Sequence, residues 1–136
     1  VESIQFQAEH SGVREQIRFL GVIIDKALLA TAYEAADVHV FPVRHIPNDP
    51  EGFGMVAIEA AAHGLPTVAF ATGGVVDAVA EGQSGYLAKK NNYQDLSART
   101  IELLQHPLPD ENIRCFAQRF EWAKFGQALA KTLNLQ

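Results

Sequence analysis

Short apolar runs alternate with longer segments of helical periodicity along the chain. Three of the runs are rich in β-branched or aromatic residues and end at a glycine, a proline or a small residue, which is typical of buried strands: residues 17–20, 38–41 and 67–70. A fourth, shorter strand is predicted at 86–87. None of the runs alternates between apolar and polar residues, so we expect both faces of each strand to be covered.

The segments between and after these runs place their apolar residues at helical spacing. Asp25 stands where it can cap the first helix, and Gly64 followed by Pro66 ends the second. The pattern predicts helices at 26–36, 52–63, 75–80, 93–105, 111–120 and 121–133.

Strands that alternate with helices predict a parallel sheet with right-handed crossovers and helices on both faces. The fold class is therefore α/β, with a Rossmann-like sheet, and 136 residues correspond to one domain. Ligands of such sheets bind beyond the carboxyl ends of the strands. The two loops to examine for function are 42–54 and 71–75.

Composition excludes several classes of protein. Apolar residues make up 48% and charged residues 20% of the chain, which is typical of a globular domain. A net charge of −5 without a basic cluster argues against nucleic acid as a partner. The single cysteine, Cys115, excludes an internal disulfide and a thiolate metal cage. No apolar run reaches the ~20 residues of a membrane span, and no signal peptide is evident.

One loop-to-helix segment combines glycines and carboxylates in a way that suits a phosphorylated ligand. Gly52 and Gly54 let the backbone approach a ligand closely, and the N–H groups of 53–56 would open a helix. Glu51 and Glu59 flank these donors, about 12 Å apart if the stretch is helical throughout. Carboxylates accept paired hydrogen bonds from vicinal hydroxyls, so the segment suits a nucleotide sugar.

A plainer interpretation of the two glutamates stays open. Glu51 would then complement the helix dipole, and Glu59 would be a solvated helix residue. Against this, Glu59 stands among alanines and Ile58 on a helix that looks too apolar for the surface, where a carboxylate needs a partner.

Taken together, these motifs resemble the donor-binding half of the retaining glycosyltransferases of family four, which have the GT-B fold. The resemblance extends from residue 13 to about 106 and includes the two glutamates separated by seven residues. Its motifs are FLG at 19–21, AD at 36–37, EGFG at 51–54, EAAAHGLP at 59–66, TGG at 72–74 and GQSGYL at 82–87.

The resemblance implies a role for each matching position. Glu51 would be the catalytic-site carboxylate that holds hydroxyls of the donor hexose and stabilises charge near its anomeric carbon, and Glu59 would bind the ribose hydroxyls. The other implied contacts with the donor come from Gly52, Phe53, Gly54, Met55 and Val56, and those on the nucleobase side from Leu20, Gly21 and Val22.

The resemblance also implies a reaction and its partners. The family transfers a hexose from a nucleotide-diphosphate sugar with retention, as in polysaccharide biosynthesis, and needs no metal and no cofactor. The long loop before Glu51 resembles the corresponding loop of members that use GDP-mannose as the donor. A UDP-hexose is the other donor expected. A glycan or lipid-linked acceptor would bind through another domain, in the cytoplasm, with membrane contact at most peripheral at the inner membrane.

We expect this chain to be a fragment. The family's first strand–helix–strand, with its Arg and Lys, and the acceptor domain have no counterpart in the sequence, and the chain begins at Val1 rather than Met. Residues 1–136 would then be a nucleotide-sugar-binding domain that transfers no sugar alone. The alternatives are a nucleotide-sugar epimerase or phosphorylase of the same fold, and a binding module without catalysis.

Residues outside these motifs carry weaker hypotheses. The five histidines lack metal-ligand spacing, and His39 is expected to pack within its strand. Arg44 and His45 are candidates to reach the donor from the preceding loop. Cys115 is expected to be a packed thiol. The helical stripe of Trp122, Phe125, Leu129 and Leu133 is most simply core. The alternative, which the resemblance implies, is that the last helix leans on the other domain, which leaves part of the stripe exposed in this chain.

Overall fold

The computed structural model of the chain describes residues 2–43 and 52–133. Three strands form a parallel sheet in the order β1–β2–β3: β1 (His39–Phe41), β2 (Thr67–Phe70) and β3 (Gly85–Ala88). In this sheet Val68 pairs with Val40 on one side and with Tyr86 on the other. The parallel pairing of the two predicted central strands is confirmed.

Helices precede, separate and follow the strands. They are α1 (Glu2–His10), α2 (Lys26–Glu34), α3 (Met55–Ala62), α4 (Val75–Ala78), α5 (Tyr93–Gln105), α6 (Asp110–Ala117) and α7 (Trp122–Thr132). The predicted helix at 93–105 has the bounds of α5, and the carboxylate of Asp25 caps α2 by accepting from the N–H groups of Ala27 and Leu28. No sequence pattern had indicated α1.

Buried side chains cover both faces of the sheet, and this confirms the α/β fold. Ala69 of β2 points into a cluster built by α3, α4 and α6, whereas Val68 and Phe70 point into a second cluster against α5. All four residues of β2 are buried. Its continuous apolar run is therefore explained by helices on both sides.

The predicted strand at 17–20 is wrong. Ile17 is extended, but among the described residues the segment pairs with no strand, and Leu20 is 61% exposed. An apolar β-branched run becomes a strand only if a ladder partner meets it, and β1 is hydrogen-bonded only to β2 within residues 2–43 and 52–133.

Several other expectations need correction. The second predicted helix begins at Met55 instead of Gly52, because Gly54 turns the chain into the left-handed region with φ +82°. The helices predicted at 26–36 and 75–80 end earlier, at Glu34 and Ala78.

The expected burial near the end of the chain is also wrong. Cys115 is exposed, and the stripe on α7 is not core, since Trp122 is 85% exposed and its other members are exposed too. Periodicity shows that a helix has an apolar face, but it does not show whether anything covers that face. Among the described residues, no helix combines the length and the apolar character that crossing a bilayer requires.

Candidate functional site

The loops that follow β1 and β2 meet at the carboxyl edge of the sheet. The backbone of Gly74 lies so close to Gly52 that a side chain at Gly74 would overlap the Gly52 carbonyl and approach the Cα of Phe53 to 3.1 Å. Below this contact, Gly54 faces the side chains of Phe41 and Val75. The glycines thus let two loops pack backbone to backbone where ligands of such sheets bind.

Among the residues that the structure describes, no side chain caps the N-terminus of α3, which opens at this edge. Its N-cap residue, Gly54, has no side chain to accept a hydrogen bond, whereas the N-cap residues of α2 and α5, Asp25 and Asn92, accept from backbone N–H groups through their side chains. Helix geometry leaves the first N–H groups of α3 without an intrahelical acceptor. Together with the helix dipole, these donors favour an anion.

The predicted donor-binding residues occupy different surroundings at this helix start. Phe53 is half-buried and packs on Phe120 with ring centroids 5.3 Å apart, so its side chain anchors the loop. Met55 is 57% exposed and Val56 is also exposed, so their side chains border the open space. The structure thus brings Gly52 and residues 53–56 together around one helix terminus.

Glu59 lies on the exposed face of α3, one turn after Met55. The expectation that α3 is too apolar to lie at the surface is wrong, because α3 buries only Ala57, Ile58, Ala60 and Ala61 and exposes its other face. The expectation that this carboxylate has a partner is right: the Tyr33 hydroxyl donates to Oε2 of Glu59 at 3.4 Å.

Tyr33 belongs to a group of aromatic side chains that joins α2, β1 and α3. Its ring stacks on His63 at 5.5 Å between centroids and meets His39 edge to face at 6.4 Å. Burial, followed by the charge and the hydrogen bond of Glu59, raises the pKa of Tyr33 above its usual value of 10.0. Sequence reasoning missed this residue, because nothing in its local pattern indicates a contact 26 positions away.

His39 packs within its strand, as predicted. Its Nδ1 lies 3.1 Å from the hydroxyl oxygen of Thr67 on β2, and burial lowers the pKa of His39 below 6.5. A neutral imidazole is therefore favoured between the strands, where it supports the Tyr33 ring.

The C-terminus of α3 is closed by hydrogen bonds. The N–H groups of Gly64 and Leu65 donate back to the carbonyls of Ala61 and Ala60, both at 3.0 Å. The Arg114 guanidinium on α6 donates to the two following carbonyls, those of Ala62 and His63, both at 2.7 Å. This end of the helix is therefore occupied by the protein's own donors.

Some of the sequence-predicted residues are not tested by this geometry. Glu51, with Arg44 and His45, lies outside the described residues, and the 12 Å estimate loses its premise because 52–54 is not helical. On the proposed nucleobase side, Leu20 and Gly21 are exposed and Val22 is 90% exposed, so their role stays a prediction. Within residues 2–43 and 52–133, no three His, Cys, Asp or Glu side chains are grouped so as to hold a metal ion.

Comparison with known protein families gives one match that covers most of the chain. The profile of the family described as "Glycosyl transferases group 1" matches residues 1–120.

Similar curated sequences have names from the same class of enzyme. D-inositol 3-phosphate glycosyltransferase 2 of Catenulispora acidiphila is 39% identical over 127 residues, which are 90% of this chain and 28% of that protein. D-inositol 3-phosphate glycosyltransferase of Corynebacterium glutamicum is 41% identical over 139 residues, covering 98% of this chain and 31% of that protein. The chain thus spans less than a third of the length of these relatives.

Solved structures with the same arrangement include HepE of Anabaena in complex with UDP. Its TM-score is 0.82 at 26% identity, over 99% of this chain and 36% of that one. Sucrose-phosphate synthase of Thermosynechococcus elongatus has a TM-score of 0.78 at 28% identity, over 99% of this chain and 35% of that one. HepE has also been solved with UDP-glucose.

Proposed function

The chain belongs to the group 1 glycosyl transferases, and from that membership we propose that it forms the nucleotide-sugar-binding half of a retaining hexosyltransferase. The donor in this proposal is GDP-mannose or a UDP-hexose, and the acceptor is a glycan or a lipid-linked sugar held by a domain outside this chain. The UDP and UDP-glucose complexes of HepE support a nucleotide-sugar site on this fold.

The uncapped start of α3 supports this function most directly. In our proposal the donor diphosphate accepts hydrogen bonds from the first N–H groups of α3, near Met55 and Val56. The packing of Gly52 against Gly74 keeps side chains away from the space that the diphosphate would enter. No metal is required, because the helix terminus itself supplies donors and positive potential.

Glu59 supplies the second contact in this proposal. It lies four residues after Met55 on the same exposed face, a rise of about 6 Å along the helix axis. At that distance from the diphosphate, its carboxylate is placed to accept hydrogen bonds from the two ribose hydroxyls. The exposed segment containing Leu20, Gly21 and Val22 would then lie beside the nucleobase.

The roles of the two glutamates can be separated kinetically in a full-length enzyme that contains this chain. Hydrogen bonds to charged groups contribute about 1.5–3 kcal/mol, so Glu59→Ala should raise the donor KM at least about tenfold. Glu51→Ala should lower kcat more than it raises KM, because its contact with the hexose strengthens in the transition state. A folded Glu59→Ala variant with an unchanged KM would contradict the ribose role.

This chain alone should bind nucleotide without transferring sugar. Transfer requires donor and acceptor to be held together in a closed cleft, and we propose that another domain supplies one wall of it. Calorimetry should show weak binding of GDP or UDP that weakens further with salt, since it depends on partial charges at a helix end. A transfer assay with radiolabelled donors and mixed acceptors provides the counter-test: turnover by the purified chain would contradict the half-enzyme proposal.

A further inference from the structure

We propose that Tyr33 is a positioning residue for Glu59: its hydroxyl holds the carboxylate in the orientation that receives the ribose of the donor. The inference rests on the proposed function, since it assumes that Glu59 binds ribose. It assigns a role in recognition to a residue of α2, a helix that carries none of the proposed contacts.

The first observation is that the Tyr33 ring is held from two sides. His63, the C-cap residue of α3, stacks on it with an interplanar angle of 19°, and His39 of β1 meets it at 86°. His63 is itself placed by α2, because its Nδ1 lies 3.3 Å from a carboxylate oxygen of Glu34. The ring therefore has little freedom to turn its hydroxyl away.

The second observation is the hydrogen bond itself. The hydroxyl donates to one oxygen of an otherwise exposed glutamate. An exposed Glu side chain samples many rotamers, and ordering it on binding reduces affinity by part of its lost entropy. A donor on a fixed ring removes part of that loss before the ligand arrives.

The Glu59 carboxylate has acceptor capacity beyond its hydrogen bond with Tyr33. An ionised carboxylate has about four acceptor positions. The Tyr33 hydroxyl occupies one on Oε2, so three remain, which is enough for two ribose hydroxyls. Tyr33 can therefore fix Glu59 without displacing the ligand that Glu59 is proposed to bind.

The test measures ribose recognition, because a purely structural role would not change it. Calorimetry measures the affinities of the chain and of its Tyr33→Phe and Glu59→Gln variants for UDP and GDP. Each nucleotide is compared with its 2′,3′-dideoxy analogue. Tyr33→Phe keeps both aromatic contacts and removes only the hydroxyl. Tyr93→Phe on α5 is the matched control, since it also removes one tyrosine hydroxyl while its ring stays against Phe70.

We expect Tyr33→Phe to weaken binding of the ribonucleotides about fivefold, the effect of having to order one rotamer-rich side chain on binding, and to leave the dideoxy analogues unchanged. The preference for ribose is the ratio of the affinity for a ribonucleotide to the affinity for its dideoxy analogue. Glu59→Gln should reduce this preference by at least as much as Tyr33→Phe does, and Tyr93→Phe should not change it. If Glu59→Gln reduces the preference and Tyr33→Phe does not, the role of Tyr33 is refuted while the ribose site stands. If neither variant reduces it, the ribose site and the role of Tyr33 are both refuted.

A spectroscopic measurement tests the contact without any ligand. The ultraviolet titration of Tyr33, obtained by subtracting the titration of Tyr33→Phe, should show a pKa above 10.0. In Glu59→Gln this pKa should fall but stay raised, because burial is the larger cause and persists. A pKa of Tyr33 that is the same with and without the Glu59 carboxylate would overturn the proposal.

Discussion

The two ends of α3 differ in which groups form hydrogen bonds with their terminal backbone N–H and C=O groups. At the C-terminus, four successive carbonyls from Ala60 to His63 accept hydrogen bonds from the chain's own donors, including both outer nitrogens of Arg114. At the N-terminus, the N-cap residue is Gly54, which has no side chain to accept from the helix, and Gly52 packs against Gly74 through backbone alone. One helix thus has an end occupied by the protein and an end that we propose is reserved for a ligand.

The difference separates contributions to stability from contributions to binding along one short helix. Arg114 anchors α3 to α6 and complements the negative end of the helix dipole. In our proposal the positive end keeps its donors for a diphosphate. Substitutions at the two ends should therefore have separable effects.

Gly74→Ala should have the largest effect and should disrupt the open end. A Cβ at Gly74 would overlap the backbone of Gly52, which cannot rotate away as a side chain can. We expect the free energy of unfolding in urea to fall by about 3 kcal/mol and nucleotide binding to be lost. Gly52→Ala is the matched control, because a Cβ there meets no atom of residues 2–43 and 52–133 within 4 Å; equal destabilisation by both variants would refute this explanation.

Arg114→Ala should disrupt the occupied end. It removes two hydrogen bonds from a charged donor, and we expect about 2 kcal/mol lower stability to urea. Nucleotide affinity should hardly change, measured at a temperature where the variant is folded. Arg119→Ala is the control, since it removes a neighbouring guanidinium that lies over Phe116 and does not bond to α3; a similar loss in both variants would count against the capping role.

Gly54→Ala should have a smaller effect on stability than the two substitutions above. The alanine must adopt φ +82°, which disfavours residues with a Cβ by about 1–2 kcal/mol. Its Cβ would lie at ordinary contact distance from Phe41 and Val75, so strain should dominate over overlap. Urea denaturation together with calorimetry checks this, and a fully stable variant would show that the left-handed start of α3 is not needed.

The smallest effect should be a dependence of the chain's stability on pH, caused by His39. Burial lowers the pKa of His39, so the unfolded chain binds a proton more readily than the folded one at pH values between that lowered pKa and 6.5. Stability should therefore fall as the pH drops below 6.5 and should be unaffected by His39 above it. Thermal melts should show a weaker acid dependence in His39→Asn than in the control His106→Asn; no difference would contradict the assignment.

Local patterns predicted the parts of this structure that depend on neighbouring residues. The bounds of α5, the Asp25 cap and the apolar run of β2 follow from side chains within a few positions. The two glycine-rich loops were also identified, because the parallel arrangement sends the carboxyl ends of β1 and β2 to one edge.

Contacts between distant residues were the ones that sequence reasoning missed or misjudged. Tyr33 meets Glu59 across 26 positions and Arg114 meets Ala62 across 52, and neither pair has a local signature. The segment 17–20 has the composition of a strand but no described partner, and the apolar face of α7 has no described cover. Composition can favour an element, but pairing and burial depend on what the fold brings beside it.

The most direct test of the account follows individual backbone amides during nucleotide binding. GDP and UDP are titrated into the isotope-labelled chain at low salt, and amide proton–nitrogen NMR spectra are recorded. We expect the largest shifts at Met55, Val56 and Gly74 around the open end of α3, with little change at His63 and Gly64. Shifts concentrated at His63 and Gly64, with Met55 and Val56 unmoved, would contradict the claim that the uncapped end of α3 receives the diphosphate.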